Sequence, residues 1–83
     1  MILSIYAIKD ILAQQWSNPF VLNPATAERT FRFMAKEKNE IECKDQMIFL
    51  LGKFDNEQGT ITVLEEPYMI FDLEKNWKVS HNA

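Results

Sequence analysis

The stretch from Met47 to Leu64, Met-Ile-Phe-Leu-Leu-Gly-Lys-Phe-Asp-Asn-Glu-Gln-Gly-Thr-Ile-Thr-Val-Leu, constrains this chain more than any other. Two apolar runs of strand length flank a polar tip, Asp55 to Gly59, and both arms are rich in β-branched and aromatic residues. A glycine closes the tip at the place where a backbone with positive φ is usually needed, so the segment predicts a β-hairpin. In the first arm Met47, Phe49 and Leu51 alternate with Ile48, Leu50 and Phe54, apolar on both sides; the second arm is more one-sided, with Thr60, Thr62 and Leu64 opposite Ile61 and Val63. The first arm therefore belongs inside a sheet and the second nearer its edge. Gly52, inside an apolar strand, marks a bulge or a close backbone approach.

Three further segments surround the hairpin. Met1 to Lys9 reads as a strand, with Ile2, Ser4, Tyr6 and Ile8 on one face and Leu3, Ile5 and Ala7 on the other, again apolar on both sides. Asp10 to Gln15 reads as a connection, and Pro19 confines any following strand to a short edge piece around Phe20, Val21 and Leu22. Asn23-Pro24 is a helix start signal, Asn23 as N-cap and Pro24 at the first helical position, and the pattern predicts a helix from Pro24 to Lys38. With residues ~100° apart, Ala27, Thr30, Phe31, Met34 and Ala35 form its apolar stripe. Asn39 to Asp45 reads as a polar connection. Tyr68 to Leu73 is apolar enough for a fifth strand or a lid, and Glu74 to Ala83 reads as a fraying tail.

The expected fold is α+β: an antiparallel sheet of four to five strands with one helix packed on one face, in the order β-β-α-β-β, forming a single domain over residues 1–73 with a flexible tail over 74–83. At 83 residues, with six Phe, two Trp and two Tyr, the chain holds more aromatic surface than one small core hides. One helix also cannot cover both faces of the sheet. Both points predict a homo-oligomer, most simply a two-fold dimer.

The chemistry-bearing residues are sparse. The lone histidine, His81, has no nucleophile and base beside it in the pattern, so no catalytic residues are assigned and the chain is expected not to be an enzyme. Asp55-Asn56-Glu57 before Gly59 lacks the run of oxygen ligands of a calcium loop, and two glycines cannot build a phosphate-binding loop; neither a metal site nor a cofactor is expected. Cys43, the single cysteine, reads as an inert, semi-buried side chain at a strand edge. No secretory signal or membrane span is evident, which predicts a reducing cytoplasm.

Surfaces remain. The net charge of −3 opposes long-range attraction to phosphate. Between Pro24 and Lys38, however, Arg29, Arg32, Lys36 and Lys38 face only Glu28 and Glu37, a local balance of +2. Arg29, Arg32 and Lys36 lie within roughly 60° of one another on the helix, with Phe33 at their margin. Cations that track phosphates beside a ring that stacks on a base are what sequence-tolerant single-strand binding requires. These four are the candidate nucleic-acid-binding residues. Trp16 and Phe20 form a second exposed-aromatic candidate.

Four ordered motifs carry a resemblance: Ile5-Tyr6-Ala7-Ile8-Lys9-Asp10; Asn18-Pro19-Phe20; Asn23 with Ala27-x-Arg29-x-Phe31; and Leu51-Gly52-Lys53-Phe54-Asp55 followed by Gly59-Thr60-Ile61. Together they resemble the small nonstructural protein of gokushovirus-type microviruses over residues 2 to 67. Trp16, the tail after Asp72 and Gln58-Gly59 at the hairpin exit depart from the family pattern. The resemblance implies a bacteriophage accessory protein of the infected bacterial cytoplasm, absent from the virion and engaged in single-stranded DNA synthesis and packaging. Its implied partners are single-stranded DNA, the replication-initiation complex or the procapsid; no binding residues carry over from the family. A protein–protein adaptor that never touches DNA is the alternative, and the acidic charge favours it. A DNA-mimicking inhibitor would need a carboxylate stripe that the spacing does not supply.

Overall fold

A computed structural model of the chain describes residues 1–81. The elements are β1 (Ile2–Asp10), β2 (Gln15–Trp16), β3 (Phe20–Leu22), α1 (Ala27–Glu37), α2 (Glu40–Cys43), β4 (Gln46–Asp55), β5 (Thr60–Asp72) and α3 (Leu73–His81). All pairings are antiparallel. The sheet runs β2-β1-β4-β5, and β3 shares the outer side of β1 with β2. The two strands that are apolar on both sides, β1 and β4, are thus the central ones, and the fold is α+β with a five-stranded sheet.

Strand alternation and ladder register decide which side chains share a face. On one face Tyr6, Ile8, Phe20, Leu22, Ile48, Leu50 and Phe71 meet Ala27, Phe31 and Ala35 of α1, Cys43 of α2, and Leu73 and Trp77 of α3. Phe31 is the wedge between the layers: its ring stands edge-on to Tyr6 at 5.0 Å and 83° and lies 5.6 Å from Phe71. Such pairs contribute about 0.5–1.5 kcal/mol each beyond the area they bury. The molecule is a plate of 44 × 26 × 16 Å in Cα extents, whose thinness corresponds to one helical layer on one sheet.

The hairpin forms with a break in its ladder. Leu50 pairs with Tyr68 and Gly52 with Val63, so Leu51 alone faces Leu64, Glu65, Glu66 and Pro67. Gly52 sits where β5 crowds in: a Cβ there would collide with the Thr62 carbonyl oxygen. At the tip Asp55 Oδ1 accepts from the Glu57 and Gln58 N–H groups, and Gly59, at φ 71°, donates to the Asp55 carbonyl. The fifth-strand candidate from Tyr68 is the second half of the same long β5.

Asp10 to Gln15 is the expected connection, a tight turn into β2, with Gln14 at φ 57° and Asp10 Oδ1 accepting from the Ala13 N–H. Three expectations are corrected. The helix begins at Ala27, because Asn23 closes a separate turn: its Oδ1 accepts from the Ala25 N–H, and its carbonyl from Thr26. Asn39 to Asp45 contains α2, held by a reciprocal cap in which Asn39 Oδ1 accepts from the Glu42 N–H and Glu42 Oε1 from the Asn39 N–H. The tail expected to be flexible over 74–83 is helical through His81; Asn82 and Ala83 lie outside the described residues. Asp72 Oδ1 accepts from the Lys75 N–H at the start of α3, and Trp77 Nε1 donates to the Lys38 carbonyl at 2.9 Å, tying α3 to the end of α1.

Cys43 lies in α2, fully buried, rather than at a strand edge. Burial pushes its thiol above the ordinary range, with the Lys38 ammonium opposing and Glu42 adding to the rise. The folded chain therefore holds the thiol proton to higher pH than the unfolded chain, and this contribution to stability is lost as pH climbs through the thiol range. Native protein at pH 8 is expected to react with an aromatic disulfide reagent at least about a hundredfold more slowly than urea-unfolded protein; rates within a few fold of each other would contradict the burial. Gly52→Ala is expected to lower stability by roughly 1–3 kcal/mol in urea titrations, since the added methyl must displace backbone.

Candidate functional site

The packing of Phe31, Ala27 and Ala35 against the sheet rotates the opposite side of α1 into solvent. Arg29, Arg32, Phe33 and Lys36 all lie there, and all four are exposed, Phe33 at 63%. The structure thus brings the four predicted residues onto one surface. An aromatic ring so exposed on a helix forfeits the burial that usually fixes it, and it is the only aromatic of α1 to do so among the described residues.

Electrostatically the four are unequal. Arg32 Nη2 donates to Glu28 Oε1 at 2.8 Å across one helical turn, an exposed pair worth little net energy that a phosphate can compete for. Among the described residues Arg29 and Lys36 have no carboxylate within ion-pair distance. Beside them, at the N-terminal end of α1, lies an open concavity of about 600 Å³ lined by Ala25, Thr26, Glu28, Arg29 and Arg32. A smaller cleft of about 330 Å³ opens between the start of α1 and β5, bounded by Tyr6, Pro24, Ala27, Glu28, Phe31, Ile70 and Phe71. The floor of that cleft is the core itself.

Trp16 and Phe20, paired in the sequence reading as one exposed-aromatic site, are separated by the sheet. Phe20 is in register with Tyr6 and turns into the helical core, 6.0 Å from that ring. Trp16 is in register with Lys9 and lies on the opposite face, edge-on to Phe49 at 5.1 Å with the Lys9 ammonium 5.3 Å over its ring. On that face the helices cover nothing. Trp16, Val21, Ile61, Val63 and Met69 are exposed there, among half-buried Leu3, Ile5, Phe49 and Phe54. Sequence reasoning pointed to an uncovered apolar side but not to Val21 and Met69 as part of it. Their signal was the register with Ile5 and Phe49, which a sequence does not print.

His81 lies in the last turn of α3, its ring stacked on Trp77 at 4.3 Å and 17°, with Nδ1 placed 2.9 Å from the Trp77 carbonyl, where a ring N–H donates. Among the described residues no three His, Cys, Asp or Glu side chains gather as a metal site would require. Among the described residues no helix is long and apolar enough to cross a membrane.

No curated protein and no solved structure matches the chain. One family model does, that of the Phage ORF5 protein, over residues 3–76, a span that takes in β1 from its second residue, β2 to β5, α1, α2 and the first turn of α3. The chain therefore belongs to the Phage ORF5 protein family.

Proposed function

We propose that this protein is a non-enzymatic phage accessory in viral single-stranded DNA synthesis and packaging, and that it contacts single-stranded DNA through the outer face of α1. The observation that carries the reading is Phe33, 63% exposed and flanked by Arg29, Arg32 and Lys36. Stacking on such a ring contributes on the order of 1–3 kcal/mol per base and tolerates any sequence. Three cations gathered on one face add a local, salt-sensitive attraction within a chain of net charge −3. Membership of a phage protein family supports a phage setting. The infected bacterial cytoplasm, and the replication-initiation complex and procapsid as partners that would share DNA handling, are what the resemblance to gokushovirus-type nonstructural proteins implies.

A specific observation favours a second reading, a protein–protein adaptor: the sheet face exposes Trp16, Val21, Ile61, Val63 and Met69, where the α1 surface exposes Phe33 as its one large apolar side chain among the described residues. The two readings separate in one titration. With fluorescent oligodeoxythymidine at low salt, Phe33→Ala is expected to weaken binding about 5- to 150-fold, the equivalent of 1–3 kcal/mol. Arg29→Glu with Lys36→Glu is expected to abolish the salt dependence. Absence of binding at micromolar protein, together with retention of a viral replication protein, would select the adaptor.

A further inference from the structure

We propose that the uncovered face of the sheet is closed by the same face of a second copy of this chain, making a two-fold sandwich with the helices of both copies outside. Area supports a second copy. Trp16, Val21, Ile61, Val63 and Met69 are 43%, 44%, 63%, 73% and 46% exposed, which leaves on the order of 500 Å² of apolar side-chain surface on one side of the plate, near the upper end for a stable solitary domain. The half-buried side chains between them bring the surface available toward the ~800 Å² that each partner gives to a stable interface.

Charge selects the occupant. Each chain carries −3, so two copies repel unless they meet where neither presents carboxylates. On this face the carboxylates are peripheral: Asp72, the last residue of β5 and in register with Met47, accepts from the Lys75 N–H, and Glu65 and Glu66 sit in the β5 bulge. The cation within it is the Lys9 ammonium, already seated over the Trp16 indole. A strongly charged partner would find little here to pair with. A second sheet of the same right-handed twist packs across such a face at about −30° and about 10 Å, with no further complementarity required. The contact leaves α1 untouched on each copy, so its success or failure is independent of DNA binding.

Sedimentation velocity from about 1 to 100 µM is expected to show a species of twice the 9.8 kDa chain mass. Val63→Lys is expected to raise the dissociation constant at least about tenfold, with the circular dichroism spectrum unchanged because the side chain is already exposed. Val21→Lys, on a different strand, is expected to do the same, so the result does not hang on one variant folding. Trp16 emission is expected to shift to the blue as concentration rises, and the shift is expected to vanish in Trp16→Phe, which still dimerises. A monomer at 100 µM would overturn the proposal. So would a dimer that neither lysine variant weakens, or a monomer that instead captures a different viral protein on this face.

Discussion

The edge-to-face contact of Phe31 with Tyr6, backed by Phe71, is the interaction on which the other features of this molecule depend. It sets the rotation of α1 on the sheet, and that rotation decides which helix residues are buried and which meet solvent. Ala27 and Ala35, one turn to either side of Phe31, are buried with it on the same face of the helix. With α1 fixed, α3 packs against it and Trp77 reaches the Lys38 carbonyl, while Cys43 of α2 joins the same core. Arg29, Arg32, Phe33 and Lys36 point outward because Phe31 points inward.

The same contact leaves the molecule one-sided. Both central strands are apolar on two faces, yet every helix lies on the face of Tyr6, Ile48 and Phe71. The other face keeps Trp16 and Val63 in water. The cationic helix and the apolar sheet face therefore lie on opposite sides of a thin plate.

Much of this was legible in the sequence, and the reasons differ by element. The α1 stripe and its exposed cations follow from a 3.6-residue period that packing merely confirms, so all four candidate residues fell where the spacing put them. The hairpin and the central place of β4 follow from alternation and turn chemistry. Asn23-Pro24 misled because its hydrogen bonds close a turn that runs to Thr26, so the helix starts at Ala27, three residues after Pro24. The α2 helix was announced by Asn39 and Glu42 at capping-box spacing, a signal hidden inside a charged run. The order of α3 was not legible: its sequence is mostly polar, and what holds it is the burial of Leu73, the packing of Trp77 and an indole N–H that reaches a carbonyl 39 residues away. The separation of Trp16 from Phe20 depends on where the chain crosses the edge of β1, which only register reveals.

Comparing the urea unfolding of Phe31→Leu with that of Phe33→Leu tests the one-sided architecture most directly. The two positions are neighbours on α1 with nearly equal intrinsic helix preference, but one ring lies between the layers and the other in solvent. Phe31→Leu is predicted to lose about 1–3 kcal/mol, from two aromatic pairings and imperfect refilling of the site, while Phe33→Leu stays within about 0.5 kcal/mol of the parent. Equal losses, or a larger loss at Phe33, would contradict the account.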